Sequence, residues 1–291
     1  METGVLYALI AGLFWGTSPV LVKRGLVHAS VSAATLIQQA TILLTLLVAA
    51  LLEGDLFKGN VSRLTLIVFS ATGVVGAYLG RTLFVRSVDQ IGASRAQSLN
   101  NSSPLVTVLL AALFLGEPLT MKVFAGVILI ISGVFFVNDA QGQEDGTARR
   151  AITLTSLLAT LCYGVVPVLK KFGTDHGAPP VLSALVMHAT GLFLLLTVGS
   201  LLKIELKWEK IAPQSLTCFI AAGMLYAIGS IMTLKALVHA PASIAAPIWS
   251  AQPIVSFFLA KLTLKGIEEV SYKDGLAALL VVLGVLMLRW G

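Results

Sequence analysis

The sequence predicts an all-α membrane protein with ten transmembrane helices in two inverted five-helix repeats. Three observations predict this fold. Of the 291 residues, 57% are hydrophobic and 12% are charged, the mean hydropathy is +0.92, and one block of sequence occurs twice. Such a composition lies outside the usual range of soluble globular domains. The chain is therefore expected to be an integral, multi-pass membrane protein.

The apolar stretches between the charged residues each approach the roughly 20 residues that a helix needs to cross a bilayer core. We predict ten membrane-spanning helices from them. Their approximate bounds are 4–22, 32–52, 64–85, 93–115, 121–137, 153–170, 180–202, 214–234, 242–264 and 274–290. The first stretch has no basic leader and no small-residue cleavage site, so it is expected to remain in the mature protein.

The duplicated block pairs residues 15–25 (WGTSPVLVKRG) with residues 163–173 (YGVVPVLKKFG). Later landmarks keep the same order, because Pro104 matches Pro253. Each half contains five predicted spans, and this odd number means that the second copy enters the membrane from the opposite side. The repeats are therefore expected to be inverted, related by a pseudo-two-fold axis in the membrane plane.

The longest polar stretch, residues 138–152, is predicted to link the two halves. It separates a first repeat, 1–137, from a second repeat, 153–291. A site between two inverted halves can be exposed to either side of the membrane by a rocking motion. This organisation predicts a secondary transporter that works by alternating access.

Three ordered motifs carry a family resemblance. They are Trp15-Gly16 with Pro19, the run 92–96 followed by Pro104, and the run 115–120 followed by Gly126 and Gly133. Over essentially its whole length the chain resembles the EamA-type branch of the drug/metabolite transporter superfamily. The resemblance implies export or import of small organic metabolites through a central cavity, lined mainly by the first, third and fourth helices of each repeat. It also implies cytoplasmic termini.

A polar run lies inside the fourth predicted span and contains Asn100, Asn101 and Ser103; the counterparts of its first and last residues in the second repeat are Trp249 and Gln252. Polar groups within a membrane cost free energy unless they are bonded. The run is therefore expected either to contact substrate or to hydrogen-bond a neighbouring helix. We include these five positions among the candidate substrate contacts.

Arg81 is the most deeply embedded cation that the predicted spans contain. Its planar guanidinium would suit a carboxylate or a phosphate on a substrate. The alternative is an anchor that reaches the membrane interface, since the predicted span ends at residue 85. Arg81 is thus a candidate substrate contact with a structural alternative.

Aromatic side chains occur on the helices expected to line the cavity. Such rings can stack on a flat or cationic ligand. The alternative is ordinary packing, or an aromatic belt at the membrane interface. The candidates are Trp15, Tyr78, Tyr163, Tyr226 and Trp249.

His188 lies inside the seventh predicted span. Histidine is the side chain that titrates near neutral pH without help from its surroundings, so His188 is a candidate for proton coupling. The alternative is a histidine hydrogen-bonded to a neighbouring helix. The sequence places no carboxylate near it that would decide between the two.

Prolines at matching places in the two repeats are predicted to kink their helices, because proline removes a backbone hydrogen bond. These kinks either shape the cavity or only set the packing of the helices. The four positions are Pro19, Pro104, Pro167 and Pro253.

Several chemistries have no support in the sequence. All 14 acidic residues fall near the ends of the predicted spans, so no carboxylate is expected at mid-membrane. There is no Gly-x-x-x-x-Gly-Lys phosphate loop, no metal-ligand spacing and no catalytic triad. We therefore expect no enzyme activity, no cofactor and no metal, and a membrane enzyme acting on lipid headgroups lacks its cluster of reactive side chains. The remaining alternative is a non-transporting membrane scaffold or receptor.

The net charge of +6 does not predict nucleic-acid binding, because the Lys and Arg residues are scattered over helix ends. The expected partners are a small-molecule metabolite and the lipid bilayer, for a monomer or homodimer in the plasma membrane. Orientation has two conflicting arguments. With cytoplasmic termini, most of the 20 Lys and Arg residues would lie outside, against the positive-inside tendency.

Overall fold

All regular elements in the described part of the chain are helices, and no β-strand occurs there. The structure is a computed structural model. It describes residues 2–53, 62–100, 102, 103, 106, 107, 109, 110, 121, 125, 126, 128, 129, 132, 146–201, 211–239, 248, 249, 252–265, 267 and 272–289.

The helices are numbered here in chain order. They are α1 (Glu2–Leu26), α2 (Val31–Glu53), α3 (Arg63–Ile91), α4 (Ala93–Asn100), α5 (Gly146–Asp175), α6 (Pro180–Leu201), α7 (Pro213–His239), α8 (Gln252–Thr263) and α9 (Tyr272–Arg289). Within the described residues, 6 helices are long and apolar enough to cross a membrane, namely α1, α2, α3, α5, α6 and α7. The prediction of an all-helical, multi-pass membrane protein is confirmed at this level.

Several helices extend beyond the predicted spans, and α3 and α5 are examples. α3 ends at Ile91 rather than at residue 85, and α5 covers Gly146–Asp175 where the apolar pattern predicts 153–170. Residues 146–152 of the predicted linker are thus the start of α5. The reason is that hydropathy marks only the part of a helix that lies in hydrocarbon, whereas cooperative backbone hydrogen bonding carries the helix further. Arg81 consequently lies well inside α3.

The middle of α3 is a π-helix. It spans Gly73–Gly80, between α-helical segments at Arg63–Thr72 and Arg81–Ile91. π-helical turns are rare and are often found at functional sites. α6 approaches this segment so closely that a Cβ on Gly73 would lie 2.8 Å from the Cβ of Thr190.

Helix α1 packs against α7 of the other repeat, and the two run in opposite directions. Near the middle, the indole Nε1 of Trp15 donates to the carbonyl oxygen of Tyr226, 3.3 Å away. Near the end of α1, Gly25 contacts the ring of Phe219, which lies earlier in α7. As residue numbers increase along α1, the residues that they contact in α7 have decreasing numbers, so the two helices are antiparallel.

The equivalent helices of the two repeats make the equivalent contact. α5 is the copy of α1, and it packs in the opposite direction against α3, of which α7 is the copy. The Ser87 and Ser156 hydroxyls are 2.7 Å apart, and a Cβ on Gly76 would lie 2.6 Å from Val166 Cγ2. A pair of contacts related in this way is the signature of a two-fold arrangement.

A second contact between the repeats is also duplicated. α1 runs alongside α8 in the same direction, and a Cβ on Gly16 would lie 2.7 Å from the carbonyl oxygen of Gln252. α5 runs alongside α4 and the residues after it likewise, because Thr160 donates to the carbonyl oxygen of Leu99 at 3.1 Å and a Cβ on Gly164 would lie 3.0 Å from the carbonyl oxygen of Ser103. The two matched glycines of the duplicated block therefore both serve close helix approach.

The outside of the described structure is apolar, and a set of polar side chains is buried inside it. Leu13, Leu44 and Phe193 are each exposed by half or more, a surface suited to lipid rather than to water. By contrast, Gln38 and Gln39 of α2 are fully buried. The centre therefore holds the groups whose chemistry needs explanation.

Candidate functional site: a buried basic and aromatic cluster

Side chains from six helices meet at the centre of the described structure. We call the following eight residues the central cluster: Trp15, Gln38, Gln39, Arg81, Tyr163, Lys170, His188 and Tyr226. Five of them, Trp15, Arg81, Tyr163, His188 and Tyr226, are candidates from the sequence.

The central cluster contains a stacked pair of aromatic rings, one from each repeat. The rings of Trp15 on α1 and Tyr226 on α7 are stacked, with centroids 5.7 Å apart and an interplanar angle of 28°. Gly229 lies beneath the indole, where a Cβ would be 2.6 Å from Trp15 Cδ1. The absence of a side chain at this position lets the ring lie against α7.

Arg81 is inside the protein and does not reach the surface. It is 2% exposed, its Cζ lies 4.1 Å from the centroid of the Tyr226 ring, and its Nη2 donates to Gln38 Oε1. The interface-anchor alternative requires the guanidinium of Arg81 to be exposed, whereas it is buried. Arg81 directly follows the π-helical segment, whose wider turns set the side of α3 on which it emerges.

The imidazole of His188 on α6 contacts the side-chain amide of Gln39 on α2, which is the equivalent helix of the first repeat. Gln39 donates from Nε2 to the carbonyl oxygen of Ala77 at 2.6 Å, so its Oε1 is left to accept from His188 Nδ1 at 3.3 Å. This assignment leaves Nε2 of the neutral ring as an acceptor. His188 also meets Tyr226 edge-on, with centroids 5.8 Å apart.

Lys170 is one of three cluster residues, with Gln38 and Gln39, that sequence reasoning missed. It is only 6% exposed, and its Nζ lies 5.7 Å from the ring of Trp15. The hydropathy pattern ended the predicted span 153–170 at Lys170, because another lysine follows it in the sequence. The sequence did contain one clue. The equivalent position in the first copy of the duplicated block is the apolar Val22, so a lysine at this position departs from the repeat.

The contacts of Arg81 and Lys170 offset only part of the free energy that burying their charges costs. Removing an ion from water costs several kcal/mol in real proteins, whereas a desolvated cation–π contact contributes about 2 kcal/mol. Arg81 has a hydrogen bond to Gln38 in addition to its ring contact. For Lys170, the ring of Trp15 is its partner among the described residues.

Several polar atoms of the central cluster are buried without a hydrogen-bond partner in the described structure. They are Nε of Arg81, Nε2 of Gln38 and Nε2 of His188. Buried polar groups are normally satisfied, and each exception calls for an explanation such as an absent ligand or water. Three such atoms in one cluster leave hydrogen-bonding capacity that a polar ligand or water would satisfy.

The other sequence candidates lie outside the central cluster. Ser103 and Gln252 present their carbonyl oxygens to Gly164 and Gly16 at the contacts between the repeats, and Trp249 lies against Gly12.

Asn100 is half-buried, with an unpartnered Oδ1, and Tyr78 is also half-buried, within the π-helical segment. Pro19 and Pro167 lie inside α1 and α5, and Pro253 is the second residue of α8.

Asn101 and Pro104 fall outside the described residues. No group of three or more His, Cys, Asp or Glu side chains that could hold a metal ion occurs among the residues that the structure describes. The amides and cations of the central cluster suit an organic ligand better than a metal, because cations repel a metal ion.

Known proteins similar to this chain are membrane transporters. The EamA-like transporter family matches residues 2–139 and again residues 150–290. The pseudopaline exporter of Pseudomonas aeruginosa is 23% identical over 250 residues, covering 84% of this chain and 82% of that protein. A putative sugar uptake protein of Listeria innocua is 26% identical over 250 residues, covering 81% of this chain and 78% of that protein.

A solved crystal structure shares the fold, with a TM-score of 0.69 and 16% identity over 99% of this chain and 96% of its own. The ordered motifs and the duplicated block agree with a match that covers both halves. This chain belongs to the EamA-like transporter family, within the drug/metabolite transporter superfamily.

Proposed function

We propose that this protein is a secondary transporter that moves a small organic metabolite by alternating access through a central cavity between two inverted five-helix repeats, ten helices in all. The observation that carries this proposal is the duplicated pair of contacts between the repeats. α1 lies against α7 and α8, and α5 lies in the same way against α3 and α4.

Helix direction supports inversion. Within the first repeat, α1 and α3 run the same way, because Lys23 near the end of α1 donates to the carbonyl oxygen of Asp89 near the end of α3, at 2.7 Å. α7 is the copy of α3, yet it runs opposite to α1. A second repeat that is turned over in the membrane accounts for both facts.

The proposed repeats are 1–137 and 153–291. In this proposal, Trp15, Arg81, Tyr163 and Tyr226 contact the substrate and His188 serves coupling. The route between the repeats is lined by Tyr78, Asn100, Asn101, Ser103, Trp249 and Gln252, and shaped by kinks at Pro19, Pro104, Pro167 and Pro253. We place the protein in the plasma membrane with cytoplasmic termini, and as a monomer or homodimer. The relatives named above include an exporter and an uptake protein, so transport in either direction is compatible with the fold.

The test is flux in liposomes, with a reversible lock. Ser18 on α1 donates to the carbonyl oxygen of Ala222 on α7 at 3.1 Å. We expect Ser18→Cys with Ala222→Cys, made after Cys162→Ala and Cys218→Ala, to form a disulfide that stops the rocking motion. Saturable flux of a metabolite should stop on oxidation and return on reduction.

The two single-cysteine variants are the matched controls, and their flux should not respond to oxidation. A non-transporting scaffold or receptor predicts no flux at all. The proposal fails if the protein, correctly inserted, moves none of a broad panel of neutral, anionic and cationic metabolites.

A further inference from the structure

The centre of the protein carries positive charge that no acidic side chain neutralises in the described structure. Arg81 and Lys170 are both buried, and each lies near one ring of the stacked Trp15 and Tyr226 pair. The two ion pairs described lie at helix ends instead. Glu53 pairs with Lys235, and Asp274 pairs with Arg95.

The two cations flank the aromatic pair of Trp15 and Tyr226. Arg81 lies over the Tyr226 ring and Lys170 lies near the Trp15 ring. An aromatic face attracts a cation less strongly than an anion does. A bound anion would therefore compete successfully for both cations, and the stacked rings would then be available to its apolar part.

The unpartnered donors favour a carboxylate over other anions. Arg81 has an open Nε–H and Gln38 an open amide N–H. A carboxylate offers two coplanar oxygens, which suit the planar fork of a guanidinium. Lys170 would add a second charge without geometric demands of its own.

We infer that Arg81 and Lys170 together bind the carboxylate end of an organic anion, and that the transported substrates carry net negative charge. This inference rests on the proposed transport function and names its substrate class. A free amino acid is disfavoured as substrate, because its ammonium group would enter a cluster that already holds two cations.

The test measures ligand binding to the purified, full-length protein in detergent, by the shift of its melting temperature. The probes are phenylacetate, phthalate and succinate, with phenylacetamide and phenethylamine as neutral and cationic analogues of the first. At least one carboxylate should raise the melting temperature in a saturable way. Phenylacetamide should bind at least ten-fold more weakly than phenylacetate, and phenethylamine should give no shift.

Variants of the two cations give a result that a purely structural role would not produce. Lys170→Met should abolish the carboxylate shift and at the same time raise the melting temperature of the ligand-free protein, because an uncompensated buried charge is removed. Arg81→Gln should weaken binding at least ten-fold, and Arg81→Lys, which keeps the charge without the fork, should weaken it less. Arg86→Gln, an exposed cation on the same helix, is the matched control and should bind like the wild type.

The outcomes separate this inference from the proposed function. If no carboxylate shifts the melting temperature but neutral or cationic metabolites are transported, the inference is wrong and the transport function stands. If phenyl phosphate binds and none of the carboxylates does, the inference is also wrong. If carboxylates bind through Arg81 and Lys170 but no solute is transported, the inference stands and the proposed function fails.

Discussion

Neighbouring lysines in one helix have different surroundings. Lys170 is buried at the centre of the protein, whereas Lys171 is exposed. Consecutive residues of an α-helix point about 100° apart, so one lysine can face the centre while the next faces outward. The sequence contains both residues but does not say which side of α5 packs against the other helices.

Two ion pairs at helix ends differ in burial, and their contributions to stability should differ accordingly. Asp274 is 1% exposed and accepts from Arg95 Nε at 2.9 Å, which joins α4 to α9. Lys235 and Glu53 are 27% and 39% exposed. Breaking a buried pair costs up to about 3–5 kcal/mol, whereas an exposed pair contributes about 0–1 kcal/mol.

We therefore predict that Asp274→Asn lowers the melting temperature of the detergent-purified protein by several degrees. Lys235→Gln is the matched control and should change it by a degree or less, because both side chains of that pair are partly exposed. Equal effects of the two variants would contradict this account of the pairs.

The π-helical segment decides where the second half of α3 points. Gly73–Gly80 is wound more widely than the α-helical segments on either side, and Arg81 is the first residue after it. Hydropathy and glycine spacing did not predict this feature. A π-helix depends on backbone hydrogen bonds whose pattern is set by the helices packed around it, here α5 at Gly76 and α6 at Gly73.

Deleting Val74 should restore a more regular helix and rotate Arg81 by about 100° relative to the first half of α3. We predict that this variant still inserts in the membrane but loses the carboxylate-dependent rise in melting temperature, because Arg81 would leave Tyr226 and Gln38. Val74→Ala, which keeps the chain length at a partly exposed position, is the control. A deletion variant that binds as well as the control would show that the π-segment does not place Arg81.

At the scale of the whole molecule, the repeats are similar in packing but not in charge. When the repeats are aligned so that Arg86 matches Lys235, the residue equivalent to Arg81 is the uncharged Ser230. In the duplicated block, the residue equivalent to Lys170 is the uncharged Val22. Gln39 and His188, which contact each other, occupy equivalent positions to within one residue. The contacts between the described helices are thus duplicated while the polar groups at the centre are not, so the proposed substrate is expected to bind in one orientation.

Two unneutralised cations should also affect the transport cycle. In the proposed cycle, the empty protein reorients with both charges bare, whereas the loaded protein carries a compensating anion and has a smaller electrostatic penalty. We predict exchange of anions. Efflux of labelled phthalate from liposomes should become several-fold faster when unlabelled phthalate is added outside, and protein-free liposomes should show no such acceleration.

Efflux at the same rate into plain buffer and into phthalate would contradict this prediction. It would indicate that the empty protein reorients as easily as the loaded one. The cations would then be compensated in a way that the described residues do not show.

Much of the fold could be predicted from the sequence, because it depends on quantities that are local along the chain. Hydropathy is a sum over neighbouring residues, and it predicted the multi-pass helical protein. The repeated block predicted two related halves, and the matched Gly16 and Gly164 occur at matched close contacts. The site was predictable only in part, since residue type drew attention to Arg81, Tyr226 and His188 but not to Gln38 or Lys170.

The sequence by itself determined that this chain lies in a membrane as helices, that it has two related halves and that it belongs to a family of transporters. The tertiary structure decided which polar side chains meet. It brought Arg81 of the first repeat and Lys170 of the second to the same aromatic pair, far apart along the chain. The physical reason is that burial and pairing of charge depend on which helix faces pack together, and that choice is made only when the two halves close around one centre.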